Sequence, residues 1–188
     1  MNESFDAWAP GQAAQAWRAF GGQWGGTLNT TNPSHPKVAF GEGSDALNSL
    51  VSIEAGSFAN FELNVSFNMI AGDHPQGAGL AFHFRDADNY QIIRYSISEQ
   101  GWHIFTVREG NRDKQSDGTV QGNTTSPQFH EWVRLRVLSQ DGHVVAYDGT
   151  TRVIDYVLPT EQSAEGGVAL FVRGNTVAQF DDFSVRPG

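Results

Sequence analysis

The sequence predicts an all-β protein, a sandwich of two antiparallel sheets, on three observations. Residues 61–69, "FELNVSFNM", alternate strictly: Phe61, Leu63, Val65, Phe67 and Met69 on one side, Glu62, Asn64, Ser66 and Asn68 on the other. That period of two is the mark of a strand with one wet face. Short segments rich in aromatic and branched residues recur about every 8–12 residues, separated by Gly, Asp, Asn or Pro. The composition agrees: 188 residues with 21 Gly, 13 Phe and 5 Trp, and only 18% charged residues against the usual ~25%.

Taken in order, "AWRAFGGQW", "KVAF" and "LNSLVSIE" read as short strands before the alternating one. "GGQWGG" precedes no helix, so it reads as a turn or bulge rather than a phosphate loop. "AGDHPQG" is a loop, broken by Gly72, Pro75 and Gly77. "GLAFHF" and "YQIIRYSIS" form the next two strands around "RDADN", whose Asp and Asn side chains bond their own backbone in turns. "GWHIFTVRE" follows, and residues 110–129 read as a long polar connection, a length usually tied to function. "EWVRLRVLS" and "HVVAYD" flank Asp141–Gly142, a strong hairpin signal. "RVIDYVL", "GGVALFVRG" and "VAQFDDFSVRP" complete the strands. Helical periodicity survives only faintly, at "GQAAQAWRAF", and no repeat or linker divides the chain. A single domain over residues 1–188 is expected, large enough to bury a core without staples.

Charge and composition exclude several function classes. With 21 acidic against 12 basic residues the net charge is −9, which disfavours nucleic acid and anionic membranes as partners. No apolar run approaches the ~20 residues of a membrane-spanning helix, so no membrane insertion is expected. The absence of Cys removes disulfides and thiolate metal sites. "MNESFDAWAP" lacks the basic and apolar regions of a signal peptide. There is no Gly-x-Ser-x-Gly nucleophile motif.

The stretches "GLAFHFRDADNYQIIRYS", "EWVRLRVLSQDGHVVAYDG" and "GGVALFVRGNTVAQFDDFSV" carry a resemblance. They are similar to the concanavalin A-like lectin/glucanase superfamily, in its laminin-G-like and 3-keto-disaccharide hydrolase-like branches. The shared pattern is a Gly-led strand, an Asp-x-x-Asn-Tyr turn, a Trp-led strand with a hairpin, and a closing Phe-Asp-Asp strand. The opening "FDAWAP…WRAFGGQW" extends the likeness to nearly the whole chain. The resemblance implies a jelly roll of two curved sheets and contact with a glycan on the concave sheet. A module secreted by a bacterium, or excised from a larger glycan-active protein, is the favoured expectation, with a cytoplasmic protein as the alternative. The glucanase branch carries a Glu-x-Asp-x-Glu strand; here "SIEAGSF" and "NFELNVS" supply only the lone Glu54 and Glu62.

Carbohydrate binding is therefore the expected function, with His83, Arg94, Trp102, His103, Trp132, Arg134, Arg136 and Arg173 as the expected ligand-binding set. The planar fork of Arg suits sugar hydroxyls and carboxylates, and Trp rings cover the apolar face of a pyranose. A solvated outer sheet face is the alternative reading of the same residues. Arg94 stands out between Ile93 and Tyr95, since a charge in a buried strand requires an acidic partner or a cleft.

No two carboxylates form the spaced pair that glycoside hydrolysis needs, which favours binding over catalysis. A glycoside hydrolase or polysaccharide lyase using the same groove, and a laminin-G-like adhesion domain, are the alternatives. The six His show no zinc spacing. The resemblance to sandwich modules with calcium near the chain ends makes Glu3, Asp6, Asp181 and Asp182 the candidate ligands of a structural Ca2+.

Overall fold

The computed structural model describes residues 1–29, 36–44, 48–73, 76–117, 126–159 and 165–188. The strands are β1 (Asn2–Glu3), β2 (Trp17–Phe20), β3 (Gln23–Leu28), β4 (Lys37–Glu42), β5 (Asn48–Phe58), β6 (Phe61–Ala71), β7 (Ala78–Asp86) and β8 (Asn89–Ser96). They continue as β9 (Gly101–Arg108), β10 (Asn111–Asp117), β11 (Trp132–Gln140), β12 (His143–Asp148), β13 (Thr151–Val157), β14 (Gly166–Arg173) and β15 (Val177–Pro187). No helix occurs among the described residues, and the faint helical period before Trp17 is turn and bridge instead.

Two antiparallel sheets form the sandwich. Sheet I has the order β13-β12-β11-β6-β15-β4-β3, with β1 added on β15; sheet II has the order β10-β9-β8-β7-β14-β5-β2. The segment expected as one strand, "AWRAFGGQW", contributes to both layers. Its Gly21 and Gly22 adopt φ of 82° and 70°, values that Gly tolerates without steric cost, and turn the chain from β2 in sheet II to β3 in sheet I. The first half of the expected 110–129 connection is also a strand. Glu109 and Gly110 take φ of 49° and 76°, the positive pair of a tight hairpin turn, and β10 pairs with β9 from Asn111↔Arg108 onward. β10 is a polar edge strand, so it carries no hydrophobic alternation. Residues 118–125 of that connection lie outside the described residues.

The main core lies between the sheets. Sheet I supplies Phe61, Leu63, Val65, Phe67 and Met69, together with Val133, Leu135, Val137, Phe180 and Phe183. Sheet II answers with Leu80, Phe82, Ile93, Tyr95, Trp102, Ile104, Val168, Leu170 and Val172. At one end Phe5, Trp8 and Trp17 close the sandwich, with Trp17 edge-on to Phe183 at 5.2 Å.

A second apolar cluster lies outside this layer: Leu50, Ala81, Phe84, Tyr90, Ile92, Phe105, Val107, Ala169 and Phe171. These residues alternate with the core residues along their strands, so they belong to the outer face of sheet II. Contacts across that face show its shape. Phe20 on β2 and Phe84 on β7 are three strand spacings apart, about 14 Å on a flat sheet, yet their ring centroids are 5.1 Å apart. Asn48 on β5 and Tyr90 on β8 are equally separated, and the Asn48 amide donates to the Tyr90 hydroxyl at 2.8 Å. Side chains stand roughly perpendicular to a flat sheet, so sheet II must curl around this face. Its outer face is concave, and the hollow is lined with a second core.

Candidate functional site

The cationic residues of the concave face are set by register. Arg94 on β8 pairs with His103 on β9 and, on its other side, with Gly79 on β7. Gly79 pairs in turn with Phe171 on β14, two residues before Arg173. Arg94 is 0% exposed. Its Nη2 donates to Glu99 Oε2 and its Nη1 donates to the Gln76 carbonyl at 3.3 Å. Glu99 stands in the tight connection after β8, where its backbone N–H donates to Ser96 Oγ at 3.3 Å.

The same carboxylate is approached by an imidazole and a second guanidinium. His103 Nε2 lies 3.5 Å and Arg173 Nη1 3.7 Å from Glu99 Oε2. Below them the Phe105 ring is flanked by two guanidinium groups, with Arg94 Cζ 5.1 Å and Arg112 Cζ 4.8 Å from its centroid. Cations over an aromatic face gain from its quadrupole, the more so when desolvated. Burial lowers the Arg94 pKa to about 10, against the opposing hydrogen bond and charge of Glu99. Burial raises the Glu99 carboxyl, but the hydrogen bond and charge of Arg94, helped by His103 and Ser96, outweigh it and hold it at about 2. The pair is thus ionised across the ordinary pH range.

Gly77 makes room for this arrangement. A Cβ there would stand 2.8 Å from Arg94 Nη1, 3.1 Å from Arg94 Cδ and 3.0 Å from the Tyr95 carbonyl. Gly77→Ala is expected to lower stability by about 1–3 kcal/mol, read by chemical denaturation. An unchanged unfolding midpoint would show that Arg94 lies free to move.

The other end of the concave face is open. A cleft of about 340 Å³ is lined by Arg18, Phe20, Ser52, Glu54, Phe84, Arg85 and Glu165, among others. Arg18 is exposed and its Cζ sits 5.1 Å over the Phe20 ring. Glu54, Arg85 and Glu165 are exposed beside it. The cleft therefore presents rings on its floor, with cations, a hydroxyl and two carboxylates around them.

The residues expected to share one binding surface divide among several places. Arg94, His103 and Arg173 do converge. Trp102 faces the opposite way, 2% exposed in the inter-sheet core, with ring centroids 5.5 Å from Tyr95 and 6.2 Å from Phe67. His83 is also turned from the hollow. Its φ of 45° lies at an irregularity in the β7 pairing. Its ring packs against Phe61 and Phe82, with Nδ1 3.1 Å from Gln91 Oε1. Trp132, Arg134 and Arg136 do leave the core, but they sit on the outer face of sheet I, the far layer from Arg94. There Arg136 Cζ stacks 4.6 Å over Tyr147. Phe20, Phe105, Arg112 and Arg18 were not expected. Arg112 was hidden in the polar 110–129 stretch, and the "EGN" turn signal at residues 109–111 would have revealed its hairpin.

The four carboxylates expected to hold calcium do not converge. Glu3 accepts from the Phe5 amide at 2.8 Å and from Trp17 Nε1 at 3.3 Å. Asp6 accepts from Ser4 Oγ, Asp181 from the Asp182 amide and Asp182 from Ser66 Oγ. Among the described residues no group of three or more His, Cys, Asp or Glu is placed to hold a metal ion. Nor is any helix among them long and apolar enough to cross a membrane.

Neither the family models nor the curated proteins contain a match to this chain. Solved structures do resemble it. A carbohydrate-binding module, CBM66, from Bacillus subtilis superposes with a TM-score of 0.72 at 16% identity, over 91% of this chain and 95% of that one. A xylan beta-1,4-xylosidase from Bacillus halodurans gives 0.65 at 16% identity, over 98% of this chain but 38% of the enzyme. A protein of unknown function with a galectin-like fold from Bacillus subtilis gives 0.64 at 12% identity, over 99% of this chain and 98% of that one. At such identities the likeness concerns the fold, a jelly-roll β-sandwich.

Proposed function

We propose that this chain is a carbohydrate-binding module, a single domain that takes an oligo- or polysaccharide on the concave face of sheet II. One observation carries the reading: the cleft of about 340 Å³ opens on the same concave face that gathers Arg94, Arg112, Arg173 and His103. Sugar recognition needs an apolar surface for a ring face and fixed donors and acceptors for hydroxyls. Phe20 and Phe84 supply the first; Arg18, Ser52, Glu54, Arg85 and Glu165 supply the second. The CBM66 module likeness supports the reading, since it spans nearly the whole of both chains. Secretion fits a ligand of this kind and is part of the proposal.

A glycan array followed by calorimetry tests it. The expected result is millimolar-to-micromolar binding of at least one oligosaccharide, weakened about tenfold, or ~1.4 kcal/mol, by Arg18→Ala. Arg134→Ala changes the opposite outer face and should leave affinity unaltered. Loss of binding only in Arg134→Ala would move the site to sheet I, where Asn64, Ser66, Arg134 and Asp182 line a hollow of about 360 Å³. No ligand across the array would overturn the reading. Hydrolysis is a second reading because Glu54 and Glu165 both line the cleft; product released from the bound polysaccharide, and lost in Glu54→Gln, would establish it.

A further inference from the structure

Among the described side chains, one end of the concave face gathers more guanidinium groups than carboxylates. There Arg94 and Arg173 gather about the carboxylate of Glu99, and Arg112 lies beside them on the Phe105 ring. They are three of only 12 Lys and Arg in the chain, whose net charge is −9, so their meeting in one place is not a reflection of a basic surface. Arg94 and Arg173 approach Glu99 directly. Arg112 does not; it rests on the Phe105 ring and is pushed below its ordinary pKa by burial and then by the charge of Arg173.

Donors are left over as well as charge. Arg94 Nε, Arg173 Nε and Arg112 Nη1 are all buried without an acceptor. A buried hydrogen bond left unmade is costly, more so when the group is charged. Arg94 is fully buried, yet Glu99, its partner, is 36% exposed, so the cluster meets solvent at the carboxylate. Arg112 and Arg173 are partly exposed beside that carboxylate, and neutral hydroxyls could accept from their outer N–H groups but would leave the charge. A planar anion does both, because a carboxylate matches the fork of a guanidinium.

We infer that the saccharide taken by the concave face is acidic, a uronic acid residue whose carboxylate is received by Arg112 and Arg173 beside the Arg94–Glu99 pair. The inference rests on the carbohydrate reading of this face. It extends the site from the open cleft to the cationic end, and it names the class of sugar.

The test is calorimetry of the full chain with oligosaccharides of galacturonate, glucuronate and mannuronate, each paired with its carboxyl-reduced neutral counterpart, at low and high salt. At least one acid is expected to bind about tenfold or more tighter than its neutral partner, and the preference should shrink at high salt as screening grows. Arg112→Gln should cut the ratio of the two affinities at least about threefold, while Arg112→Lys, which keeps the charge, retains most of it. Melting curves confirm that each variant is folded, and Arg173→Gln provides a second measure of the ratio. Equal affinity for acid and neutral forms, or a ratio untouched by both Gln variants, would overturn the inference and leave the carbohydrate reading standing. Absence of binding to either member of every pair would overturn both.

Discussion

Replacing Phe171 with alanine is expected to cost about 3–5 kcal/mol, as much as deleting a ring from the inter-sheet core. Phe171 sits on the concave face of a central strand, between Gly79 on β7 and Leu50 on β5, and it is 0% exposed. On an open groove floor the same ring would be wet, and its removal would matter little to stability. Because sheet II curls until Phe20 touches Phe84 and Asn48 reaches Tyr90, Phe171 lies beneath other side chains. For a chain of this size each kcal/mol corresponds to about 2–4 °C in Tm, so a fall of roughly 10 °C is expected. A loss under about 1 kcal/mol, measured by urea unfolding, would show the hollow to be empty rather than filled.

Glu99→Gln is expected to destabilise by about 2 kcal/mol at neutral pH. Removing one partner of a fully buried pair typically costs ~3–5 kcal/mol; the partial exposure of Glu99 calls for a discount, because solvent screens its side of the interaction. The residual cost arises from Arg94, left as a fully buried cation with Arg112 and Arg173 nearby. The pH dependence has a definite sign. The carboxyl is held at about 2 in the folded protein, below its ordinary 4.5. Its contribution is therefore complete above pH 4.5 and fades as pH falls toward 2. The stability gap between parent and variant should narrow over that window. Asp86, Asp141 and Asp155, also held low by their hydrogen bonds, are common to both proteins and cancel in the comparison. A gap that stays constant from neutral pH to pH 2 would refute the role given to the carboxylate.

How much of this was legible in the chain follows from what alternation encodes. Period two tells which side of a strand a residue takes, so the inward row of "FELNVSFNM" and the outward Arg134, Arg136 and Arg173 could be read directly. It does not tell which sheet receives the strand. β8 pairs with its neighbour β7 but β11 pairs with the distant β6, and that long-range choice puts Arg134 in a different layer from Arg94. Where both faces are apolar the side itself is ambiguous. "GWHIFTVRE" offers Trp102 and Ile104 against Phe105 and Val107, and only the second core on the concave face explains why both rows are buried. His83 escapes the pattern because the irregular pairing around it re-aims its ring. The requirement that Arg94 find an acid or a cleft was legible; that Glu99 supplies the acid depended on a turn five residues on.

The first strand zips onto the last. Asn2 lies opposite Ser184, and the N-terminal ammonium donates to the Val185 carbonyl at 2.6 Å. β1 and β15 thus both belong to sheet I, the layer behind the concave face of sheet II. Breaking that seam would loosen sheet I while leaving intact the face of sheet II proposed for the glycan.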